Sequence, residues 1–341
     1  MSVWKFLLRL AAGVALVGFL LHKHGVELRG VLERMVELPP LILLSAIALD
    51  LAGRLLSAYR WSRLAALAGK PIGFGRVAQL YYSGMFFNLC LPTSIGGDVF
   101  RVVGLGRNTG SKSVAFASVF MDRNIGMAAL LTLGTAASLL APTASIQATL
   151  HFLRDEPLIV PLWPLFILLG CGYVLANVVV FSDVFCLVVT SLVSRLHLGS
   201  VGAKAGKLHQ AVQAYRLPLN RYLLTFALSL AYQASEIGLI WLLARGLQID
   251  VSLPVMCALV PFQAVACLLP LTFNGMGIRE YVICAVLIGQ LGQGIQDKAL
   301  ALSLDYFFGV MLVSSLLGGV VYVCSGIRRP SVAEAEGMAG R

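Results

Sequence analysis

The segment VAQLYYSGMFFNLCLPTSIGGDVFR, residues 77–101, decides the fold. Its first half is apolar, then Pro92 and a pair of glycines interrupt it, and it closes with an acid and an arginine. Proline and glycine disfavour a continuous helix, and non-helical backbone at membrane depth survives only where protein or a wet cavity satisfies it. The segment therefore predicts a re-entrant helical hairpin rather than a simple membrane span.

The composition supports a membrane setting for this segment. Of 341 residues, 58% are hydrophobic and 12% are charged, and the mean hydropathy is +0.86. Soluble domains carry about a quarter charged residues, so a soluble enzyme and a disordered chain are both excluded. The net charge of +10 is interpreted as topology signals and headgroup contacts, and we expect no nucleic-acid partner.

Apolar segments of spanning length recur along the chain. A helix needs about 20 apolar residues to cross a bilayer. Six predicted spans meet this requirement: 3–22, 41–60, 113–140, 160–181, 222–244 and 300–324. The prediction is an all-α polytopic membrane protein with about six transmembrane helices and two re-entrant hairpins, at 77–101 and 252–291, although full spans at these two places stay an alternative.

The distribution of Lys and Arg predicts the orientation. Most of them fall in segments that are cytoplasmic if both termini are inside, which is the positive-inside bias. The first hairpin then enters from the cytoplasm and the second from outside. We predict one membrane domain over residues 1–325, an interfacial amphipathic helix over 199–217 and a short disordered polar tail over 326–341.

The two interrupted segments resemble each other. Pro92-x-x-x-Gly96-Gly97-Asp98-x-x-Arg101 parallels Pro270-x-x-x-x-Gly275-x-Gly277-x-Arg279-Glu280. Broken helices at matching places in two inverted halves are typical of a transporter's binding site. The pattern predicts an inverted repeat with a polar cavity near the midplane.

Charged residues within the membrane are the candidate site residues, because each costs about 3 kcal/mol or more at that depth. We predict substrate binding by Gly96, Gly97, Asp98, Arg101, Arg123, Asn274, Gly275, Gly277, Arg279 and Glu280. We predict charge balance or proton coupling by Asp50, Arg54, Asp122, Glu236 and Asp305. Guanidinium groups match phosphate oxygens, so Arg101, Arg123 and Arg279 are the predicted phosphate ligands.

Structural roles stay open for the same residues. Asp50 and Arg54 lie one helical turn apart and could simply pair. Asp98 and Glu280 follow the breaks and could cap helices, and Asn274 could be only a turn residue. The seven cysteines show no CxxC spacing and the five histidines are scattered, so we expect no metal site and no cofactor.

Several of these motifs resemble one family. Leu91-Pro-x-x-Ile95-Gly-Gly-Asp-x-x-Arg101 is similar to the signature of the lysylphosphatidylglycerol synthase transmembrane family. Tyr59-Arg-Trp61, Met121-Asp-Arg123-x-x-Gly126 and Asn274-Gly-x-Gly-x-Arg-Glu280 resemble its other elements, in the same order. The resemblance implies a flippase-like membrane domain with re-entrant helices. Some members carry a soluble aminoacyl-transfer domain, for which the sequence has no large enough soluble stretch, so that activity is not expected here.

The leading hypothesis is a lipid translocase of the bacterial inner membrane that moves a phospholipid or a polyprenyl lipid. An intramembrane transferase acting on a lipid phosphate is one alternative. A non-catalytic partner of a lipid or glycan biosynthesis enzyme is another, and a homo-oligomer is compatible with each. We expect no enzymatic activity, because the sequence has no stretch for the aminoacyl-transfer domain; the lack of a clustered acidic or histidine-rich motif counts against the intramembrane transferase.

Overall fold

The chain folds into a helical bundle in a computed structural model. The structure describes residues 3–68, 72–90, 96–140, 146–150, 158–183, 209–213, 215, 217–268, 272–292 and 294–326. The helices discussed below are α1 (Val3–His24), α2 (Leu28–Glu37), α3 (Pro40–Ala65), α4 (Phe74–Cys90), α5 (Gly96–Thr109), α6 (Lys112–Leu140), α7 (Leu162–Val180), α8 (Leu219–Gly246), α9 (Leu253–Ala266), α10 (Ile278–Leu291), α11 (Gln296–Leu304) and α12 (Val313–Cys324).

Five helical stretches in the described residues are long and apolar enough to cross a membrane. They are α3, α6, α7, α8 and the continuous stretch Gln296–Cys324, and they coincide with five of the predicted spans. The first predicted span coincides with α1, whose apolar part, Leu10–Lys23, is too short to be counted with the five. The chain is an all-α polytopic membrane protein.

Both interrupted segments contain two helices, as predicted. The first consists of α4 and α5, with 17 and 14 residues, and the second consists of α9 and α10, with 14 residues each. At 1.5 Å per residue these helices measure roughly 21–25 Å, less than the hydrocarbon core of about 30 Å. Their lengths suit hairpins, whereas the connections at 91–95 and 269–271 lie outside the described residues.

The second helix pair, α9 and α10, contributes to the main hydrophobic core. Buried side chains of α8, α9, α10 and α11 form one large hydrophobic cluster. Helix α9 packs against α6 and α10, α8 packs against α3, and α4 packs against α5 and α12. Helix α3 begins at Pro40, where the missing N–H of proline costs no hydrogen bond. The two helix pairs are thus held between membrane-spanning helices.

Three features were not predicted. Helix α2 lies between the first two predicted spans. A two-stranded antiparallel sheet joins β1 (Gln147–Leu150) to β2 (Leu158–Pro161), between α6 and α7. A π-helical segment, Asp305–Leu312, connects α11 to α12. Single π-helical turns inside longer helices occur frequently at functional sites.

Two predictions fall mainly outside the described residues. The amphipathic segment 199–217 is described only at 209–213, 215 and 217, and the predicted polar tail is described only at Gly326. Both stay predictions.

Candidate functional site

Asp122 is the centre of the first polar cluster. It lies on α6 with 1% exposure, and its two oxygens accept hydrogen bonds from two different arginines. Arg60 of α3 donates from Nε to Oδ1 at 2.9 Å, and Arg101 of α5 donates from Nη2 to Oδ2 at 2.7 Å. Arg60 also donates to Ser229 of α8 at 2.8 Å. One carboxylate therefore joins three helices, and a fourth through Ser229.

Asp98 extends this cluster to the surface of the bundle. It lies in the first turn of α5, and Arg123 of α6 contacts both of its oxygens, at 3.0 and 3.1 Å. Arg101 adds a weaker contact at 3.3 Å. The side chain of Arg123 is 55% exposed, whereas that of Asp98 is 17% exposed. The Asp98–Arg123 pair is therefore the accessible end of the first cluster.

Aromatic rings flank the buried arginine of this cluster. The guanidinium carbon of Arg101 lies 4.1 Å from the ring centroid of Trp61 and 4.7 Å from that of Tyr81. A cation over an aromatic face gains about 2 kcal/mol when it is desolvated. The rings and Asp122 together compensate for the burial of Arg101.

A second cluster lies between α3 and α8. Arg54 contacts Asp50 at 3.0 Å and Glu236 at 3.3 Å, and it donates to the hydroxyl of Tyr232 at 2.7 Å. The hydroxyl of Tyr306 donates to Glu236 at 3.0 Å. The pairing of Asp50 with Arg54 anticipated from their spacing is present, and Glu236 makes it an interhelical triad.

The third cluster surrounds the start of α10. Gly277 precedes the helix with a φ of +85°, a conformation that favours glycine, and its N–H donates to the carboxylate of Glu280. Ser303 of α11 donates to the other oxygen of Glu280 at 3.0 Å. Glu280 therefore caps its helix, which is the structural role left open for it. Among the described residues, the hydrogen bonds that Asp98 accepts come from Arg101 and Arg123 instead.

Arg279 differs from the other arginines of these clusters. It is 2% exposed, and it donates from Nη2 to the backbone oxygen of Asn274 at 2.9 Å. Its Nε and Nη1 atoms have no hydrogen-bond partner, and the ion pairs found among the described residues do not include it. Its guanidinium carbon lies 5.6 Å from the ring centroid of Tyr306 and 5.1 Å from that of Phe307. A buried cation with two unused donor atoms is available to an anion.

The structure brings the predicted residues together in three groups. The first contains Gly96, Gly97, Asp98, Arg101, Asp122 and Arg123. The second contains Asp50, Arg54 and Glu236, and the third contains Asn274, Gly275, Gly277, Arg279 and Glu280. Asp305 is 5% exposed and its Oδ2 atom has no hydrogen-bond partner. Among the described residues, no side-chain hydrogen bond or ion pair connects it to these groups.

Sequence reasoning did not include Arg60 among the candidate site residues. Helix α3 continues to Ala65 beyond the predicted end of the span, so Arg60 is 5% exposed and faces Asp122. Its neighbours in the motif Tyr59-Arg-Trp61 were the available signal. Hydroxyl groups on other helices, at Ser229, Tyr232, Ser303 and Tyr306, were also missed, since isolated Ser and Tyr residues in apolar helices carry no pattern.

Membrane-spanning helices, two short helix pairs and buried charge clusters define a polytopic membrane protein with a polar interior. Comparison with protein families is consistent with this class. Residues 6–318 match the family described as "Lysylphosphatidylglycerol synthase TM region", and the chain belongs to this family. No curated protein and no solved structure matches the chain. The family connects the chain with lipid metabolism at the membrane.

Proposed function

We propose that the chain translocates a lipid with an anionic headgroup, a phospholipid or a polyprenyl phosphate, across the bacterial inner membrane. Both termini are cytoplasmic in this proposal, and the chain performs no chemical step of its own. Family membership supports a role with membrane lipids, and the charge distribution supports an anionic headgroup.

The state of Arg279 carries the proposal. Arg54, Arg60, Arg101 and Arg123 each have a carboxylate oxygen within 3.0 Å. The ion pairs found among the described residues do not include Arg279. An uncompensated charge inside a membrane protein is costly and marks functional sites. A bound anion would compensate for this charge.

The surroundings of Arg279 favour a phosphate in particular. It is the second residue of α10, where the backbone N–H groups and the helix dipole attract anions. Guanidinium groups bind phosphate oxygens, and the Nε and Nη1 atoms of Arg279 are free to donate, each on a different edge of the group. A lipid phosphate would meet both the helix end and the guanidinium.

The first cluster offers a second contact for the same headgroup. Arg123 is exposed and its only described carboxylate partner is Asp98, which also contacts Arg101. A phosphate approaching Arg123 would compete with Asp98. In the proposed mechanism the headgroup exchanges between Arg123 and Arg279 as the two helix pairs move, in the way that opposed broken helices support alternating access.

The test is lipid translocation in proteoliposomes. Labelled phosphatidylglycerol, its lysyl derivative and a polyprenyl phosphate are compared for wild type, Arg279→Gln, Asp98→Asn and Glu280→Gln. Arg245→Gln is the matched control, since Arg245 is half-exposed and pairs with the exposed Asp250. We expect protein-dependent movement of one lipid that is lost in Arg279→Gln and kept in the control.

A stability measurement separates function from folding. Removing an uncompensated buried charge should leave the melting temperature of Arg279→Gln unchanged or raise it. A variant that melts early and transports nothing would make Arg279 a structural residue. Well-folded wild type that moves none of the lipids would reject translocation and favour a non-catalytic partner of a biosynthetic enzyme.

A further inference from the structure

The second cluster contains more acidic than basic groups. The carboxylates of Asp50 and Glu236 both contact the guanidinium of Arg54, at 3.0 and 3.3 Å, and these two acidic side chains are 0% and 8% exposed. One guanidinium compensates one carboxylate. When both acids are ionised, the triad therefore carries one uncompensated negative charge in a buried place, where such a charge is costly.

The two acids of the triad differ in how they are held. Asp50 is fully buried, and its Oδ1 atom accepts a hydrogen bond from Nε of Arg54 at 3.1 Å and lies 3.0 Å from Nη2. Glu236 contacts Arg54 at 3.3 Å through Oε1, which has no hydrogen-bond partner, while Tyr306 donates to its Oε2. Glu236 is thus the less tightly held and more accessible acid, and its Oε1 atom can bind a proton without losing a hydrogen bond.

The groups that face Glu236 come from three elements. Its electrostatic partners are Asp50 and Arg54 of α3, Tyr232 of α8 and Tyr306 of the π-helical segment. Tyr82 of α4 interacts with Asp50. The first cluster reaches α8 at Ser229, about two helical turns before Glu236. Arg54 is therefore the cation nearest to Glu236, and Asp50 already binds it.

Tyr306 connects this acid with Arg279. Its hydroxyl donates to Glu236 at 3.0 Å, and the guanidinium carbon of Arg279 lies 5.6 Å from the centroid of its ring. The neighbouring acid Glu280 caps its own helix instead. An excess carboxylate and an uncompensated guanidinium therefore lie against the same tyrosine, where each reduces the cost of burying the other. A phosphate bound to Arg279 would end this compensation.

We propose that Glu236 binds one proton, at Oε1, when a lipid phosphate binds to Arg279, so that the proton and the anionic headgroup move together. The inference rests on the proposed function for the phosphate at Arg279. Of the residues predicted for charge balance or proton coupling, it assigns the proton to Glu236. Because coupling between two sites is reciprocal, protonation of Glu236 also strengthens phosphate binding, and a proton gradient drives the lipid towards the less acidic side.

A proton suits this place better than a metal ion. Hard cations such as Ca²⁺ and Mg²⁺ require about six or more oxygen ligands. In the triad, the carboxylate oxygens without a hydrogen-bond partner are Asp50 Oδ2 and Glu236 Oε1, and Oε1 lies beside a guanidinium. A proton requires one oxygen and no coordination shell.

The test is isothermal titration calorimetry of the full chain in a maltoside detergent, which contains no phosphate. Short-chain phosphatidylglycerol and a short polyprenyl phosphate are the probes, and buffers of different ionisation enthalpy give the number of protons bound per lipid. Glu236→Gln removes the proton site and keeps an acceptor for Tyr306. Asp305→Asn is the matched control, since Asp305 is also a buried acid but, among the described residues, no side-chain hydrogen bond or ion pair joins it to Glu236.

We expect lipid binding to take up a proton in wild type and in Asp305→Asn, and we expect this uptake to be lost in Glu236→Gln. The difference between the variants cancels any proton that the lipid itself exchanges. Equal proton uptake in wild type and Glu236→Gln would overturn the inference, and so would loss of uptake in Asp305→Asn alone. Lipid binding without proton uptake in wild type would also overturn it.

Translocation under a pH gradient separates this inference from the proposed function. In proteoliposomes we expect a gradient to accelerate lipid movement several-fold in wild type and to have no effect in Glu236→Gln. Movement that ignores the gradient in wild type would keep the translocase and reject proton coupling. Proton uptake that depends on Glu236, without any lipid movement, would keep the linked proton and phosphate sites and reject the translocase.

Discussion

At the scale of single residues, Asp122 is the carboxylate on which the first cluster depends. Arg60 and Arg101 are 5% and 4% exposed, and both contact it. We expect Asp122→Asn to destabilise the protein by about 3–5 kcal/mol, since breaking a buried ion pair leaves uncompensated charge. Thermal unfolding in detergent measures this loss. Asp250→Asn is the control, because the exposed ion pair of Asp250 with Arg245 should contribute about 0–1 kcal/mol. Equal melting temperatures for the two variants would contradict the role of Asp122.

Tyr306 connects the second and third clusters, which suggests a second prediction at this scale. Its hydroxyl donates to Glu236, and its ring lies beneath Arg279. Tyr306→Phe keeps the ring and removes the donor, so we expect a stability loss of about 1 kcal/mol and weakened translocation, with Tyr306→Leu weaker still because the ring is lost. The proteoliposome assay with both variants checks this order. Equal activity of Tyr306→Leu and Tyr306→Phe would show that the aromatic ring is not needed for translocation.

Single residues also show where sequence reasoning stops. The pairing of Asp50 with Arg54 follows from a spacing of four residues on one helix. The pairing of Asp122 with Arg60 requires two different helices to lie side by side, and no local sequence pattern encodes which helices are neighbours. The two hydrogen bonds to Glu280 differ in the same way. The bond from the Gly277 N–H is local and could be anticipated as a helix cap, whereas the bond from Ser303 comes from another helix and could not.

At the scale of elements, the close packing of α4 against α5 depends on glycine. A Cβ added at Gly97 would lie 2.1 Å from the backbone oxygen of Gly84 and 2.8 Å from Asn88, whose side chain accepts the Gly97 N–H. We expect Gly97→Ala to separate the two helices and to lower the melting temperature by several degrees. Gly75→Ala is the control, since an added Cβ meets no atom there and alanine favours the helix by about 1 kcal/mol. Similar melting curves would show that the helix pair can adjust.

Elements differed in how well their sequences predicted them. Long apolar runs gave the five spanning helices because hydrophobic length is itself the physical requirement for crossing a bilayer. Helix α2 and the strand pair β1–β2 are short and carry no such length signal. The π-helical segment was not predicted either, because a local change in helix winding leaves the apolar pattern unchanged. This segment places Tyr306 and Phe307 together beside Arg279.

At the scale of the whole molecule, the proposed mechanism requires the two helix pairs to enter the membrane from opposite sides. Asn108 lies exposed near the end of α5, and Asp250 lies exposed just after α8. In the predicted orientation Asn108 is cytoplasmic and Asp250 is external, because the excess of Lys and Arg marks the inner side. These two positions therefore report the entry sides of the first and second pair.

Cysteine labelling measures this orientation directly. Asn108→Cys and Asp250→Cys are introduced separately into a cysteine-free chain and treated with a membrane-impermeant maleimide in intact and in opened vesicles, with a permeant maleimide as the control for reactivity. We expect Asp250→Cys to label in right-side-out vesicles and Asn108→Cys only after opening. Labelling of both from one side would place both helix pairs on that side. Alternating access between opposed hairpins would then be impossible, and Arg123 and Arg279 could not serve a headgroup arriving from opposite leaflets.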